Sequence, residues 1–379
     1  MKIFKISQST LVLLSLFAAT SFSSQANQHQ HHHMPDENGE MNIPASKTPI
    51  SVMGDHLHHE GGWMASYRYM TMEMKGLQTG TSSTSATGAL QNYAMVPEEM
   101  TMNMHMLGLM YAPTSNLTLM VMANFVDQEM TSLMPSMPME GEMGMNSEMD
   151  MGTSMNSGMG MTEMPMMTHA MEMESDGLAD ISISALINGF NGDNYRSHFT
   201  LGVRLPTGDI DQTRNNMMGE ETLMGYPMQL GTDTTNILAG YTYVYDVDKW
   251  QLGTQINYET AIEENDADYK PGDKIQWHNW VGYGVNQSLS LSMRLSYLDK
   301  GNYSGHDQRL NSMMMPTADP KQRGVSQIDW AIGANYGFID GMLKNQQISF
   351  EYSQPIEQDF EGTQLKTDWQ ATLGWQLSF

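Results

Sequence analysis

The sequence predicts an all-β fold, a transmembrane antiparallel up-and-down β-barrel of about twelve strands with short periplasmic turns and long extracellular loops. Three observations predict it: repeated segments of alternating apolar and polar residues, connections that are short and long in strict turn, and a last strand that ends on an aromatic residue. Alternation with a period of two is typical of a strand with one apolar face. Most segments are near the ~9–11 residues that a tilted strand needs to cross a bilayer.

An export signal precedes the predicted barrel. Lys2 and Lys5 are followed by an apolar run at 11–19 and a small-x-small cleavage site at 24–26, so residues 1–26 are interpreted as a secretory signal peptide. The apolar run is well short of the ~20 residues of a membrane-spanning helix. The sequence contains no cysteine, so it predicts neither a disulfide framework nor a thiolate metal site.

The composition agrees with a barrel that has a polar interior. The formal net charge is -25 and the mean hydropathy is -0.42, although the chain has 7 Trp, 16 Tyr and 10 Phe. So acidic a chain does not bind nucleic acid by charge, and nucleic acid is excluded as a partner. Many aromatic residues in a polar average are typical of a barrel whose lumen and loops are wet. The 41 methionines need a separate explanation.

Residues 27–60 are predicted to form a disordered periplasmic tail rich in His and Met, because no apolar period appears in them. Clustered imidazoles bind Cu, Zn or Ni, which makes the tail a candidate metal ligand set. A solvated linker is the alternative interpretation. The candidate ligands are His29, His31, His32, His33, His56, His58 and His59.

The first predicted strand shows which face is the lumen. Trp63, Tyr67 and Tyr69 lie on one face, and Arg68 lies on the other with four methionines. A guanidinium on the lipid side at mid-bilayer costs roughly 2–4 kcal/mol, so the Arg68 face is predicted to line the lumen.

The same alternation gives the other strands. They are predicted at 100–112, 117–126, 180–188, 198–205, 236–245, 250–259, 275–285, 288–298, 326–336, 347–353 and 367–379. The last one reads TDWQATLGWQLSF, and its terminal Phe379 resembles the closing and assembly signal of outer-membrane barrels. Residues 61–379 are therefore assigned to the barrel, with outer-membrane lipid and the barrel-assembly machinery as expected partners.

The lengths of the connections alternate along the whole chain. Short ones are predicted at 113–116, 189–194, 246–249, 286–287 and 337–346, and long ones at 75–99, 127–179, 206–235, 260–274, 299–325 and 354–366. Outer-membrane barrels combine short periplasmic turns with long extracellular loops, whereas a β-sandwich has no reason to alternate in this way. The pattern predicts a protein of the Gram-negative outer membrane with both termini in the periplasm.

The predicted extracellular loop 127–179 is dominated by methionine. Its segment 130–173 holds 16 of the 41 methionines, mixed with Gly, Ser, Glu and Thr. Exposed thioethers are soft ligands that suit Cu(I) or Ag(I). A drifted low-complexity repeat and an oxidant sink are alternative explanations.

Methionines on the first three strands extend this pattern into the predicted lumen. Strand direction places two groups of three at the same extracellular end and a third group at mid-depth, so thioethers on neighbouring strands can meet about 5 Å apart. We predict a soft-metal relay from them, or else adaptable packing. The candidate ligands are Met70, Met72 and Met74, then Met100, Met102 and Met104, then Met120 and Met122. Asn103 and His105 share the second strand and are expected at its polar rim.

Four motifs resemble a known family. They are DGLAD at 176–180, LPTGD at 205–209, YPMQLG at 226–231 and PTADP at 316–320. Together they resemble a Met-rich subgroup of the MetA-pathway of phenol degradation family of outer-membrane β-barrel transporters, although Ala179 replaces a usual glycine. The resemblance implies a channel for aromatic or other small hydrophobic molecules and implies no catalytic residues.

The sequence therefore leads to three functional hypotheses. The first is a channel that handles soft metal ions, copper or silver, through its Met-rich loop and lumen. The alternatives are passage of small aromatic or hydrophobic compounds, and metal sequestration without transport. An enzyme is not predicted, because His105, His198 and His278 lie on strands without a nucleophile motif. No cofactor is assigned beyond possible Cu(I) or Ag(I) cargo.

Overall fold

A computed structural model describes residues 45–135, 168–215 and 219–379. The regular secondary structure of the described part is mostly β-strand, and its one α-helix, α1, spans Ala86–Ala89. No helix in these residues is long or apolar enough to cross a membrane. The strands are β1 Trp63–Gly80, β2 Ser82–Thr84, β3 Val96–Thr114, β4 Leu117–Pro135, β5 Thr168–Leu178, β6 Ile181–Asn188, β7 Tyr195–Leu205, β8 Thr213–Asn215, β9 Glu221–Leu223, β10 Asn236–Val247, β11 Trp250–Ala261, β12 Tyr269–Lys270, β13 Lys274–Gly284, β14 Leu289–Lys300, β15 Ser304–Gly305, β16 Val325–Phe338 and β17 Gln346–Ser378.

Eleven of the described strands form one closed antiparallel barrel. Its order is β1, β3, β4, β6, β7, β10, β11, β13, β14, β16 and β17, and β17 pairs with β1 to close the ring. Strands β2 and β5 add to its rim, beside β1 and β4. Short 3-10 helices lie in the connections at Tyr226–Met228, Pro316–Ala318, Pro320–Gln322 and Gly341–Leu343. The predicted fold class is confirmed.

Strand β17 crosses the barrel wall twice. Its residues 346–360 pair with β16 and its residues 360–378 pair with β1, both antiparallel. A ring of antiparallel strands closes only with an even number of crossings, so β17 folds back on itself near Gly362, whose φ is +105°. Gln358 and Thr367 join the two arms through hydrogen bonds of 2.8 and 2.9 Å. The described chain thus makes twelve crossings.

The two faces of the wall differ as predicted. Arg68 is buried inside the barrel at 5% exposure, which confirms the assignment of its face to the lumen. The outward face is a continuous apolar band, as a lipid environment requires. Its exposed side chains include Leu107, Leu109, Leu119, Val121, Ile183, Ile187, Phe199, Leu201, Ile237, Leu252, Ile256, Leu291, Met293, Ile332, Ile348, Phe350 and Leu373.

Short connections lie at one end of the barrel, which we call the turn end, and long ones at the opposite loop end. At the turn end β10 and β11 are separated by Asp248 and Lys249 alone, with Asp248 at a φ of +49°. Aromatic pairs lie beside the turns, for example Trp63 with Tyr111 at 4.3 Å between ring centroids. The predicted parity of connections is present in the fold.

The wall is taller at the loop end than the alternation predicts. The loops predicted at 75–99 and 127–179 contain fewer residues than expected. Strand β1 continues to Gly80, and β4 continues to Pro135 and pairs there with β5. The predicted loop 354–366 is part of β17. These strand extensions lie beyond the apolar band. Because no lipid faces them, their outward residues need not be apolar, and the alternating pattern does not predict them. The central Met-rich residues 136–167 lie outside the described part.

A segment of the predicted tail fills the turn end of the lumen. Residues 45–59, here called the plug, lie inside the barrel, whereas residues 27–44 lie outside the described part. Val52 is 2% exposed and packs with Val244 and Trp280. Asn335 donates to the carbonyl oxygens of Ser46 and Thr48 at 2.7 and 3.0 Å. The expectation of a disordered tail does not hold for 45–59, because polar lumen side chains satisfy the backbone of an aperiodic segment.

The family-like motifs hold the loops to the barrel. Asp180 accepts hydrogen bonds from the backbone nitrogens of Gly208 at 2.9 Å and Thr232 at 3.1 Å. Gly208 and Gly231 pack so closely that a Cβ on Gly231 would lie 2.3 Å from the Gly208 carbonyl oxygen. The motifs DGLAD, LPTGD and YPMQLG therefore form one structural joint over the loop end.

Candidate binding site at the loop end of the lumen

Four methionines form one row across neighbouring strands. The register pairs Met74 with Met100, Met100 with Met130, and Met130 with Met173, so the row runs over β1, β3, β4 and β5. Directly opposite residues on antiparallel strands have Cβ atoms about 4.5–5.5 Å apart. Strict alternation on each strand turns all four side chains to the lumen side. We call this row the methionine ladder.

The ladder is part of a larger methionine cluster that joins the wall to the loops. Its buried members are Met95, Met100, Met130, Met173, Met224, Met228 and Met315, and Met74, Met102, Met134 and Met171 pack at its edge. Met224 and Met228 come from the loop after β7, and Met315 comes from the loop after β14. Flexible, polarisable thioethers fill the irregular gap between flat strands and folded loops.

The predicted strand methionines divide into two places. Met74, Met100 and Met102 belong to the cluster, and the next pairs toward the turn end are Met72 with Met102 and Met70 with Met104. The predicted meeting of the first two strands' methionines is therefore present in the register.

Met120 and Met122 do not reach the relay. Met120 is opposite Met110 at the turn end, where it packs with Leu57 and Leu186, and Met122 is opposite Gly108. They do not meet the other strand methionines, because β1, β3 and β4 extend beyond the apolar band and the cluster lies in those extensions. About six residues of strand, or ~20 Å, separate Met122 from the level of Met102.

The described histidines of the predicted tail, His56, His58 and His59, belong to the plug. The Asp55 charge raises the pKa of His56, whose Nδ1 lies 2.8 Å from Asp55 Oδ1. Burial and the neighbouring His56 lower the pKa of His58 to about 4, and its Nε2 is buried without a hydrogen-bond partner. In the described ranges no three His, Cys, Asp or Glu side chains converge on a metal position. His29, His31, His32 and His33 lie outside those ranges.

Histidines on strands have local hydrogen-bond roles. His105 Nδ1 lies 2.7 Å from the Tyr67 hydroxyl on the outward face, beside a bond of 2.9 Å between Tyr69 and Asn103. His198 Nε2 lies 2.7 Å from the carbonyl oxygen of Gly54 in the plug. His278 Nδ1 lies 3.2 Å from Arg294 Nη1. None of these three contacts includes a serine, threonine or cysteine side chain.

An arginine caps the methionine cluster from the loop side. Arg214 on β8 donates from Nη1 to the Met171 sulfur, and its Nη2 lies 3.9 Å from the Met95 sulfur. Burial lowers the pKa of this guanidinium. Because the Arg214 guanidinium already lies against the sulfur atoms of Met95 and Met171, these two residues are poor ligands for a second cation.

A cavity of about 180 Å³ opens beside the ladder. Met74, Met100, Met130 and Leu365 form its apolar side. Its other side carries cationic and polar groups, Arg323, Lys300, Tyr303, Thr317 and Gln364. We call it the loop-end cavity. The sequence predicts Met74 and Met100 on the lumen wall, places Met130 in a loop, and gives no signal for the two cations, which lie in or beside the loop between β14 and β16.

The lumen wall across from the methionines is polar and charged. Arg294 on β14 forms a buried ion pair with Glu351 on β17, and it also donates to Ser296 at 2.8 Å. Side-chain exposure is only 6% for Arg294 and 2% for Glu351. Both residues lie on the inner face of their strands, where the fold brings them together.

These features define a transmembrane β-barrel of the outer-membrane type, and the comparisons agree. The family described as "Putative MetA-pathway of phenol degradation" matches residues 146–314, which confirms the resemblance drawn from the motifs. An outer membrane channel from Pseudomonas putida F1 is similar in structure, with a TM-score of 0.54, 14% identity, and coverage of 87% of this chain and 100% of that chain.

Two further solved structures are more distant. The CymD monoaromatic hydrocarbon channel has a TM-score of 0.41 and 8% identity, covering 92% of this chain and 97% of its own. The TodX deltaS2S3 mutant monoaromatic hydrocarbon channel has a TM-score of 0.40 and 10% identity, covering 85% and 91%. No curated protein matches the sequence significantly.

Proposed function

We propose that this protein is a channel of the Gram-negative outer membrane that passes small aromatic or other hydrophobic molecules. The observation that carries the proposal is the loop-end cavity, whose apolar side is built from Met74, Met100, Met130 and Leu365. A porin for ions or sugars has no use for an apolar wall in its lumen, since such barrels are polar inside. The phenol-degradation description of the matched family supports the same cargo.

The dimensions of the cavity fit a single ring. An apolar cavity of about 150 Å³ in another protein binds benzene, and the loop-end cavity measures about 180 Å³. Methionine sulfur makes favourable contacts with aromatic rings, and flexible thioethers adapt to rings of different substitution. The plug fills the turn end of the lumen below the cavity. Passage of the cargo therefore requires the plug to move or to leave a path beside it.

The proposed orientation puts the turn end and both termini in the periplasm. The reason is the parity of connections, with short turns at one end and long loops at the other. An epitope inserted near Met149 is then reachable on intact cells, whereas one near Gly39 is not. Surface labelling of the Gly39 epitope contradicts this orientation, and finding the protein soluble in the periplasm contradicts the membrane assignment.

Uptake of radiolabelled toluene by cells with and without the protein tests the channel. We expect faster uptake with the wild-type protein and slower uptake when Met100 and Met130 are both replaced by Gln, which makes the cavity wall polar. The matched Met→Leu double variant keeps the wall apolar and retains uptake. Equal uptake in cells lacking the protein overturns the proposal.

A second candidate function is the handling of Cu(I) or Ag(I) as cargo, by transport or by sequestration. The observation that favours it is the methionine ladder, in which four thioethers stand in one row. Soft sulfur ligands select such ions. The Arg214 guanidinium lies against the sulfurs of Met95 and Met171, so these two residues are poor ligands for a metal cation. A soft-metal site is therefore confined to the ladder and to the pairs toward the turn end, Met72 with Met102 and Met70 with Met104.

The Leu variant of the ladder separates the two candidates. Replacement of Met74, Met100, Met130 and Met173 by Leu removes the sulfur ligands and keeps an apolar wall. If the cargo is aromatic, toluene uptake persists; if it is a soft metal, binding of Ag(I) to the purified protein and silver tolerance both fall. Unchanged Ag(I) binding by this variant rules out the ladder as a metal site.

A further inference from the structure

Arg323 lies at the edge of the loop-end cavity in a fixed position. It follows the 3-10 helix Pro320–Gln322 and is 6% exposed. Its backbone nitrogen donates to Asn302 Oδ1 at 2.9 Å, and its Nε donates to the Gln322 carbonyl oxygen at 2.8 Å. These bonds hold the stem of the side chain and leave the two Nη atoms for the cavity.

The buried guanidinium of Arg323 has no carboxylate partner. Within the described residues no Asp or Glu oxygen lies within 4.0 Å of it, whereas Arg204, Arg294 and Arg309 each have such a partner. Asp319 is nearby, but its oxygens already accept from Lys321 N and Gln322 Nε2, both at 2.9 Å. A buried charge without a partner is costly, so the position favours an anion supplied from outside the protein.

A second cation lines the same side of the cavity. Lys300, at the end of β14, places its Nζ 5.2 Å from the centroid of the Tyr303 ring, which also lines the cavity. No described carboxylate forms an ion pair with Lys300 either. Burial lowers the pKa of Arg323 to about 10, which leaves it charged at neutral pH but destabilised by desolvation.

We propose that the loop-end cavity is a binding site for a small aromatic anion, a single ring that carries a carboxylate or phenolate. The ring contacts Met74, Met100 and Met130, and the anionic group is bound by the Arg323 fork with Lys300 beside it. Arginine binds carboxylates through two parallel hydrogen bonds, which gives both strength and orientation. This inference rests on the proposed channel function and specifies the charge of its cargo.

Calorimetric titration of the purified full-length protein in detergent tests the site with three probes: benzoate, its neutral isostere benzamide, and toluene. We expect the wild-type protein to bind benzoate at least tenfold more tightly than benzamide. Arg323→Gln is expected to lose at least tenfold in benzoate affinity and to change toluene affinity less than twofold. Arg323→Lys keeps the positive charge but cannot donate two parallel hydrogen bonds to a carboxylate. Its benzoate affinity is expected to lie between those of the wild-type protein and Arg323→Gln.

The matched control is Lys75→Gln, which removes one positive charge from an exposed pair with Glu99 on the same barrel. It is expected to leave all three affinities unchanged. If Arg323→Gln fails to assemble as a heat-modifiable barrel, the wild-type comparison of benzoate with benzamide decides alone. Equal affinity for those two probes, or unchanged benzoate affinity in Arg323→Gln, overturns the anion site while toluene binding leaves the channel proposal standing. Absence of binding by all three probes overturns both.

Discussion

The two ends of the lumen are both filled, but by opposite chemistry. At the turn end the plug is held by directional hydrogen bonds, such as those from Asn335 to Ser46 and Thr48. At the loop end the methionine cluster is held by contacts between adaptable thioethers. Hydrogen-bonded packing depends on the identity of each side chain, whereas Met packing depends mainly on volume. The turn end is therefore expected to be sensitive to substitution and the loop end tolerant.

The largest expected effect is that of Asn335→Leu on the plug. The substitution removes the donor at 3.0 Å from the Thr48 carbonyl and one of the donors to Ser46. One unsatisfied buried carbonyl and one lost bond together correspond to about 2–4 kcal/mol. Hydrogen exchange of the amides at 46–53 should become faster by the corresponding factor. Asn116→Leu, at an exposed turn bond with Asn188, serves as control, and equal exchange in both variants contradicts the directional account of the plug.

The second effect is a weakening of the plug in acid through His58. Burial lowers its pKa to about 4 from 6.5, so its contribution is present above pH 6.5 and is lost as pH falls from 6.5 toward 4. The shift corresponds to at most about 3 kcal/mol. His56 acts in the opposite direction, because Asp55 raises its pKa and protonation then stabilises the folded plug. Conductance in planar bilayers should rise between pH 7 and 4.5.

His58→Gln is the variant that isolates the effect of His58 protonation on the plug. Gln cannot be protonated, so the rise in conductance between pH 7 and 4.5 should flatten. A pH response of the same size in His58→Gln would assign the effect to groups other than His58.

The third effect tests the close contact between the plug and the wall. A Cβ on Gly282 would lie 2.2 Å from the Lys47 carbonyl oxygen, whereas a Cβ on Gly284 has no neighbour nearer than 3.6 Å. Gly282→Ala is therefore expected to weaken the plug by about 1–3 kcal/mol, with Gly284→Ala as its control on the same face of β13. Faster exchange of the plug amides in Gly282→Ala alone is the expected result; equal behaviour of the two variants contradicts the contact.

Most of the fold could be predicted from the sequence, because lipid imposes a strict period on each strand. Arg68 fixed the inner face, and the parity of connections fixed the two ends. Strand extensions such as 130–135 are not predicted by the sequence, because beyond the apolar band the outward residues of a strand need not be apolar. Met74 and Met100 meet across β1 and β3 as the predicted strands imply, and the pair at 120 and 122 stays apart from them. Met130 and Met173 join the ladder on the extension of β4 and on the rim strand β5, where the sequence predicts a loop.

The plug and the cationic side of the cavity could not be predicted in the same way. Residues 45–59 have no period, and their position depends on hydrogen bonds from strands as far as 301 residues away, such as that between Ser46 and Gln347. Arg323 lies in a loop, where charge is ordinarily solvated. Only the folded loop shows that Arg323 is buried and lines the same cavity as Met130 and Leu365.

The smallest expected effect is that of Met130→Leu in the methionine ladder. Met130 is 1% exposed and stands between Met100 and Met173. Leu has a similar volume and no polar atom, so the free energy of unfolding should change by less than ~1.5 kcal/mol. Met130→Gln has nearly the same shape but buries an amide among thioethers, which cannot satisfy its hydrogen bonds, and should cost more. Urea unfolding of the two variants in detergent measures the difference. If Leu is as damaging as Gln, the sulfur of Met130 has a specific partner, and the soft-metal hypothesis for the ladder gains over simple packing.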